Sequence, residues 1–270
     1  METYTIFGHT GFIGTHLKKK LKNHNLILPK RNKFKLKRFL HNVIYCIGSD
    51  DWINNSYDSF KANLGYIPEI LNHNQFKSFT FLSTTRIYKK NKITDEKSNI
   101  KINSHDLDDY YNITKICAES YLLTQKKKIN IIRLSNIYGD NYSAPLILPK
   151  ILSNSIKFGE ITLTINKNST KDFLCINDAV DIIKKISLKG KGGIYNVASG
   201  KLYKLIDIAS IIQQHTNCKI ILKNQKTSIK EPKLNIKKIQ KEFKFIPKSN
   251  LLKDLEALIQ KYKTYYENKL

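Results

Sequence analysis

The sequence is poor in cysteine and acidic side chains, and it has no long hydrophobic run. No apolar stretch is long enough to span a bilayer, and the first residues indicate a strand rather than a signal peptide. The cysteines are too far apart for a CxxC pair or a zinc-ligand pattern, which excludes a disulfide framework and indicates a reducing compartment. We therefore expect a cytoplasmic protein with no membrane segment and no bound metal. The four cysteines are Cys46, Cys117, Cys175 and Cys218.

Acidic residues are scarce throughout. The chain of 270 residues has 22 of them against 47 lysines and arginines, which gives a net charge of +25. Such a charge suggests nucleic-acid binding, but the lysines are spread over the whole chain and no recognised binding module accompanies them. Attraction of a small anionic substrate explains the charge more simply. We therefore expect a small-molecule ligand and no nucleic-acid partner.

The first half of the chain alternates between β-rich apolar runs and helical patterns. Residues 43–47 form a continuous apolar run, which is typical of a parallel strand buried on both faces. Alternation of such strands with helices predicts an α/β fold of the Rossmann type with a doubly wound parallel sheet. The predicted strands are 4–7, 26–28, 43–47, 79–82 and 129–134, and the predicted helices are 11–21, 63–71 and 110–123.

This alternation becomes less regular after Gly139, where two prolines interrupt an apolar stretch. Shorter strand and helix patterns follow, with no linker or repeat before them. We interpret residues 1–140 as the first domain and residues 141–270 mainly as a smaller C-terminal lobe, from which some elements return to the first domain. The predicted strands are 161–165 and 194–197, and the predicted helices are 178–186, 205–215 and 251–266.

A glycine-rich turn follows the first predicted strand and opens the first predicted helix. Gly8, Gly11 and Gly14 permit a tight turn and a close approach of the backbone to a pyrophosphate. Phe12 and Ile13 lie at the helix N-terminus, which offers N–H groups and a positive dipole end to that anion. The turn therefore predicts dinucleotide binding by the first domain.

The segment after the second predicted strand is basic. An NAD site usually has an acidic residue there for the ribose hydroxyls, whereas basic residues suit the 2′-phosphate of NADP. No acidic residue lies between Glu2 and Asp50, and Lys30, Arg31 and Lys33 follow the strand. We therefore favour NADP, with NAD and a merely solvated charge run as the alternatives.

Tyr111 and Lys115 are spaced by one helical turn and so share a face. An ammonium beside a phenol favours phenolate, so this tyrosine could exchange a proton with a sugar hydroxyl or carbonyl during hydride transfer. Thr84 closes a predicted strand at the edge where ligands bind, and its hydroxyl could hold the reacting oxygen. The alternatives are an exposed helix pair and a polar strand end.

In this order, the segments resemble the extended short-chain dehydrogenase/reductase family, which includes the epimerases, dehydratases and reductases of nucleotide sugars. The resemblance covers nearly the whole chain. It includes the glycine turn, Cys46-Ile47-Gly48, Asn63 ahead of a helix, and the motifs at 82–88, 111–115, 133–139, 171–179, 195–200 and 245–247.

The resemblance implies roles for individual residues. Thr84, Tyr111 and Lys115 would form a catalytic trio. In the substrate-binding lobe, Asn136 would contact the phosphates of a nucleotide-diphosphate sugar, and Lys171 stands where relatives often carry a substrate-facing arginine. Arg86 is also expected to face the substrate. The implied cofactor contacts, besides the glycine turn, are Cys46, Ile47, Gly48, Asn63, Tyr111 and Lys115.

The departures from the family pattern narrow the choice of reaction. Family 4,6-dehydratases carry Asp-Glu where this chain has Thr85 and Arg86, and fucose synthases carry a cysteine in place of Arg86. Both branches are therefore disfavoured. Only a short basic segment separates Leu28 from Val43, where relatives fit a helix, a strand and an acidic adenine contact. The adenine side of the cofactor is expected to be open or contacted differently.

Three functions remain open at this point. We favour an NADP-dependent reductase that transfers hydride to C4 of a nucleotide-linked 4-keto sugar. The second is a C4 epimerase with tightly bound NAD and the same trio. The third is a non-catalytic dinucleotide-binding module, against which the complete trio argues. A homodimer and a role in polysaccharide biosynthesis belong to the same expectation.

Overall fold

The computed structural model describes residues 1–49, 51–142, 144, 146–226 and 228–269. Strands and helices alternate through the first half of the chain, as its apolar runs and helical patterns predict. The elements are β1 (Thr3–Phe7), α1 (Phe12–Lys20), β2 (Asn25–Ile27), β3 (Asn42–Tyr45), α2 (Ser56–Phe60), a π-helical turn (Lys61–Gly65), α3 (Tyr66–His73), β4 (Ser78–Thr84), 3₁₀ turns (Thr85–Tyr88 and Leu107–Asp109), α4 (Tyr110–Leu123) and β5 (Ile129–Leu134).

The second half has shorter strands and longer helices. The helical patterns at 178–186, 205–215 and 251–266 each fall within an observed helix. No helix among the described residues is long and apolar enough to cross a membrane. The elements are β6 (Asn136–Tyr138), α5 (Ile147–Lys157), β7 (Glu160–Leu163), β8 (Thr170–Cys175), α6 (Ile176–Lys189), β9 (Gly193–Val197), β10 (Leu202–Lys204), α7 (Leu205–Thr216), β11 (Lys219–Leu222), α8 (Lys237–Phe243) and α9 (Leu251–Glu267).

Within the described part of the chain, six strands form one sheet in the order β2-β1-β3-β4-β5-β9, and every neighbouring pair is parallel. Strands β3 and β5 are buried along their whole length, as strands covered on both faces must be. The chain moves one way along the sheet from β1 to β2 through α1, and the opposite way from β3 to β4 and β5 through α3 and α4. Right-handed crossovers therefore place these helices on opposite faces of the sheet. The predicted α/β fold with a doubly wound parallel sheet is confirmed.

The strand order reverses at β1, whose neighbours are β2 and β3. Ligands of open α/β sheets bind outside the carboxyl ends of the strands at such a reversal. Strands β1 and β3 end at Phe7 and Tyr45, so the glycine turn and residues 46–48 both start from this edge. Thr84 ends β4 at the same edge, because β4 is parallel to β3.

The chain divides into two compact units. The core of the first combines side chains of β1, β3, β4 and β5 with those of α3 and α4. Strand β9 belongs to this unit although it lies far along the chain, because it pairs with β5 and so completes the sheet. The first unit contains Met1–Leu134, Ala179–Val197 and Asn235–Phe245, and the second contains Ser135–Asp178, Ala198–Leu234 and Ile246–Leu270.

The second unit has a core of its own, to which α5, α7 and α9 contribute together with β7 and β8. Among its described residues, β10, β8 and β6 form one small sheet, and β11 and β7 form another. The Tyr138 hydroxyl of β6 donates to the Asp254 carboxylate of α9 at 2.5 Å. This hydrogen bond and the shared core tie the last helix to the small sheet. The assignment of this unit to substrate binding stays a prediction.

One local expectation differs from the structure, and another agrees with it. The helix predicted from residue 63 begins earlier, at Ser56, so Asn63 lies inside the helical segment and not ahead of it. Residues 56–61 are mostly polar and exposed, so no apolar periodicity marks this first part. Residues 28–41 contain no helix or strand, and Phe34 and Leu40 anchor this connection in the core.

Candidate active site

The glycine-rich turn is built around two positions that admit no side chain. Gly8 follows β1 with a φ of +80°, and a Cβ there would lie 2.9 Å from the carbonyl carbon of Cys46. At Gly14, in the first turn of α1, a Cβ would lie 2.1 Å from the Gly8 carbonyl oxygen. Cβ atoms essentially never approach another heavy atom within 3.0 Å. Both residues must therefore be glycine for α1 to pack closely against the ends of β1 and β3.

Gly11 has a different role in the same turn. A Cβ there would meet only the Gly8 carbonyl oxygen, at an ordinary 3.5 Å. Gly11 is exposed and is the N-cap of α1, which no side chain caps. Helix geometry leaves the N–H groups of the first turn, including those of Phe12 and Ile13, without intrahelical partners. The first turn has no acidic residue, so it suits an anion and fits the pyrophosphate of a dinucleotide.

Asn63 links the loop after β3 to α4 by hydrogen bonds. Its amide donates to the Ser49 carbonyl oxygen at 2.9 Å and to the Thr114 hydroxyl at 3.2 Å, and its own carbonyl accepts from the Ser49 N–H at 3.2 Å. A Cβ at Gly48 would lie 3.3 Å from Lys115 Nζ and 3.4 Å from Asn63 Oδ1. The structure thus brings Gly48, Asn63 and Lys115 together at the carboxyl edge of the sheet.

Tyr111 and Lys115 lie one turn apart on α4. Lys115 Nζ is 5.9 Å from the centre of the Tyr111 ring and donates to the Leu82 carbonyl oxygen at 3.1 Å. Because Lys115 is buried, its charge is weakly screened and stabilises negative charge on a nearby oxygen. Thr84 ends β4, and its hydroxyl accepts from the Arg86 N–H at 3.1 Å. The three predicted catalytic residues therefore come from α4 and β4 of the first unit.

Cys46 and Ile47 extend β3 beyond its last paired residue. The Cys46 N–H donates to the Phe7 carbonyl oxygen at 2.9 Å. Burial raises the pKa of the Cys46 thiol to about 12, and the charge of Lys115 offsets only part of this rise. The thiol therefore stays protonated near neutral pH and provides no nucleophile. Within the described ranges, no group of three or more His, Cys, Asp or Glu side chains could hold a metal ion.

Trp52, which the sequence patterns did not single out, lies against the predicted catalytic tyrosine. Its ring stacks on Tyr111 with 5.5 Å between the ring centres and 30° between the planes. The Arg86 guanidinium lies 4.5 Å from the centre of the Trp52 ring and 3.6 Å from the Asp108 carboxylate. The indole Nε1 is buried without a hydrogen-bond partner among the described residues. A lone tryptophan in a polar stretch was the signal available in the sequence.

A buried ion pair that sequence reasoning also missed links β4, β5 and α4. Arg133 Nη2 lies 2.6 Å from Glu119 Oε2, and Arg133 Nε donates to both carboxylate oxygens at 3.1 Å. The Ser83 hydroxyl donates to Glu119 Oε1 at 2.5 Å, and Arg133 Nη1 donates to the Tyr88 hydroxyl at 2.5 Å. This network holds the end of β4, and hence Thr84, against α4, which carries Tyr111.

The basic segment after β2 is exposed. The turn is closed by a hydrogen bond from the Lys33 N–H to the Lys30 carbonyl oxygen at 3.1 Å, and Arg31 lies between them. The pKa of Asp58 is lowered, chiefly by the hydrogen bond from Lys61 and in a smaller part by the charge of Arg31. The assignment of these basic residues to a 2′-phosphate stays a prediction.

In the second unit, Asn136 and Lys171 meet at one carboxylate. Lys171 Nζ lies 2.7 Å from Glu231 Oε1, and the Asn136 amide donates to Glu231 Oε2 at 3.3 Å and to the Asp172 carbonyl oxygen at 2.8 Å. Glu231 lies 60 residues beyond Lys171, in a stretch without a recognisable motif, so no local pattern reveals it. Both predicted substrate residues of this unit thus share a partner from the chain itself.

Known proteins resemble this chain in sequence and in fold. A dTDP-D-glucose 4,6-dehydratase from Dictyostelium discoideum is 27% identical over 160 residues, which are 54% of this chain and 37% of that protein. The chain thus spans little more than a third of the length of this curated relative. RMD from Pseudomonas aeruginosa, solved with NADPH, has a TM-score of 0.81 at 14% identity and covers 98% of this chain and 100% of its own.

A second solved structure is the UDP-glucose 4-epimerase of Thermotoga maritima with UDP-glucose. It has a TM-score of 0.82 at 17% identity and covers 98% of this chain and 99% of its own. At these identities both structures establish the fold and not the reaction. The model of the NAD dependent epimerase/dehydratase family matches residues 41–198, which are more than half of the chain. The chain therefore belongs to the NAD dependent epimerase/dehydratase family.

Proposed function

We propose that the protein is an NADP-dependent reductase of a nucleotide-linked 4-keto sugar. The proposal is supported by Tyr111 and Lys115, which lie one turn apart on α4, with Lys115 bonded to the Leu82 carbonyl oxygen of β4. Thr84 ends the same strand, at the edge of the sheet that also bears the glycine turn. A phenol that exchanges protons, a fixed ammonium and a hydroxyl are the groups that reduction of a ketone requires. The bound dinucleotide supplies the hydride.

In this mechanism Tyr111 protonates the alkoxide that forms when the ketone at C4 of the sugar receives a hydride. Lys115 is held by its hydrogen bond to the Leu82 carbonyl oxygen and stabilises negative charge on the tyrosine oxygen after the proton has left. The Thr84 hydroxyl orients the reacting oxygen by a hydrogen bond. The hydrogen bonds of Arg133 and Glu119 fix the position of β4, which ends at Thr84, relative to α4, which carries Tyr111.

A 4,6-dehydratase is disfavoured, although the curated relative carries that name. The chemistry needs an acid and a base beside the catalytic threonine, and these positions are Thr85 and Arg86 in this chain. The Thr85 hydroxyl is turned to the Leu134 carbonyl oxygen at 3.3 Å, and Arg86 is engaged with Trp52 and Asp108. Neither side chain can act as a carboxylic acid.

The C4 epimerase remains the second candidate because of one observation on the cofactor side. Lys30, Arg31 and Lys33 are all exposed, as the side chains of a merely solvated charge run are. In that case they give no preference for the 2′-phosphate of NADP. The ultraviolet spectrum of the purified protein separates the two functions, because an epimerase tends to retain its dinucleotide and a reductase releases it.

The test of the proposal is Tyr111→Phe, with Tyr110→Phe as the matched control. Tyr110 is the preceding residue, and its hydroxyl donates to the Ser56 carbonyl oxygen. On a panel of nucleotide-linked 4-keto sugars with NADPH and NADH, we expect Tyr111→Phe to lower turnover by about 10²–10⁴ with little change in substrate affinity. Tyr110→Phe should keep the wild-type rate. Near-normal turnover of Tyr111→Phe would show that another group donates the proton.

The proposal extends to partner and location. The substrate would be a nucleotide-diphosphate sugar, with its phosphates at Asn136 and Lys171 of the second unit. A cytoplasmic location is supported by the four cysteines, all of which are free. The homodimer and the part in polysaccharide biosynthesis stay predictions.

A further inference from the structure

The carboxylate of Glu231 gathers three donors of the second unit. Lys171 Nζ lies 2.7 Å from one of its oxygens, and the Asn136 amide and the Asp172 backbone N–H donate to the other at 3.3 Å and 3.1 Å. An ammonium, an amide and a backbone N–H that point to one anion are the groups from which proteins build phosphate sites. Here the anion is a side chain of the protein.

Glu231 reaches these donors from the segment between β11 and α8. The Thr170 N–H donates to the Ile229 carbonyl oxygen at 2.9 Å, and the Glu231 N–H donates to the Thr170 carbonyl oxygen at 3.2 Å. The Ile229 N–H donates to the Ser169 hydroxyl at 3.0 Å. These bonds place the segment beside Thr170, the first residue of β8, as a single parallel bridge. Few backbone bonds therefore hold the carboxylate, and its displacement would break little structure.

We propose that Glu231 is a specificity-determining residue that occupies an anion site of the second unit with its own carboxylate. The proposal rests on the proposed function, in which Asn136 and Lys171 receive a substrate diphosphate. Two anions cannot share Lys171 at contact distance without strong mutual repulsion. A diphosphate, which carries more than one negative charge, replaces the single charge of Glu231 with a net gain. A neutral sugar or a monoanion has no such advantage and is rejected.

The test measures binding of two probes, UDP and inorganic pyrophosphate, by calorimetry at low salt. Glu231→Gln keeps the shape of the side chain and removes its charge, so we expect both probes to bind about tenfold tighter than to the wild type. Glu160→Gln removes the same charge from β7 and should leave both affinities within about twofold. Adding Lys171→Met to Glu231→Gln should abolish the gain.

A second variant serves if Glu231→Gln does not fold. Glu231→Asp keeps the charge but shortens the reach to Lys171, and we expect a smaller gain in affinity of the same sign. Unchanged or weaker binding of pyrophosphate to either folded variant would overturn the proposal, since Glu231 would then support the donors and not compete for them.

The two proposals fail in distinguishable ways. If Glu231→Gln gains affinity for pyrophosphate while UDP, GDP and dTDP bind no better than pyrophosphate, the anion site stands and the nucleotide-sugar substrate is wrong. If UDP binds the wild type and Glu231→Gln equally while the enzyme turns over a nucleotide sugar, the reductase stands and the role of Glu231 is wrong.

Discussion

The glycine turn of the first unit and the Asn136–Lys171 pair of the second unit present their donors in opposite ways. The turn exposes the N-terminus of α1, where no side chain caps the helix at Gly11. The pair is already engaged by Glu231, which accepts from both residues. The first arrangement is set by residues adjacent in sequence, and the second by a residue 60 to 95 positions away. A sequence motif therefore reveals hydrogen-bond donors that neighbouring residues present. It does not reveal that a side chain distant in sequence already binds them.

The ion pairs of the two units differ in how deeply they are buried. The side chains of Arg133 and Glu119 are 5% and 3% exposed, and those of Lys171 and Glu231 are 16% and 22% exposed. Loss of one partner of a buried pair leaves a desolvated charge, whereas water can reach a partly buried pair and replace some of the lost interaction. The first pair is thus structural, and the second can open for a ligand.

The sharpest test of this difference is a pair of matched truncations. Arg133→Met should lower the free energy of unfolding by about 3–5 kcal/mol, because Glu119 is left buried and unpaired. Lys171→Met should lower it by only about 1–2 kcal/mol, because Glu231 is partly exposed and keeps two other donors. Urea titration monitored by circular dichroism measures both. Similar losses in the two variants would remove the distinction between a structural pair and an openable one.

Within the glycine turn, Gly14 is needed for packing of α1, whereas Gly11 leaves room for a ligand to approach the backbone. Gly14→Ala places a Cβ 2.1 Å from the Gly8 carbonyl oxygen, so we expect a loss of about 1–3 kcal/mol in stability together with weakened dinucleotide binding. In Gly11→Ala the added Cβ makes only an ordinary 3.5 Å contact, so stability should change by less than about 0.5 kcal/mol. Binding of the dinucleotide should still become weaker. Thermal unfolding and calorimetric titration report the two effects. Normal dinucleotide affinity in Gly11→Ala would place the pyrophosphate elsewhere.

The smallest expected effect concerns the exposed basic segment. Arg31→Ala should weaken NADPH binding by about tenfold, which corresponds to about 1.4 kcal/mol, and leave NADH binding nearly unchanged. The effect should shrink as salt rises, because exposed charges are screened. Arg38→Ala, also exposed and in the same connection, serves as the control in the titration of both cofactors. Equal affinities of the wild type for NADH and NADPH would contradict the NADP assignment and make the epimerase as well supported as the reductase.

Prediction from the sequence succeeded where the pattern is local and failed where a contact is long-range. The helix over 110–123 and the strand over 129–134 agree with α4 and β5 at both ends, since apolar periodicity marks each of them. The first part of the helical segment around Asn63 was missed because its residues are polar and exposed. Trp52 was missed because only the fold stacks its ring on Tyr111, 59 residues later in the chain.

The sequence by itself determined the alternation of strands and helices, the glycine turn and the one-turn spacing of Tyr111 and Lys115. These features depend on backbone geometry and on residues a few positions apart, so their physical causes are contained in short segments. Only the tertiary structure decided which distant groups share a site. The occupation of Lys171 by Glu231 depends on a bridge at the first residue of β8, and the burial of Arg133 with Glu119 depends on the packing of α4 against the sheet. Burial and pairing are properties of the folded chain, and they decide the energy of each charge.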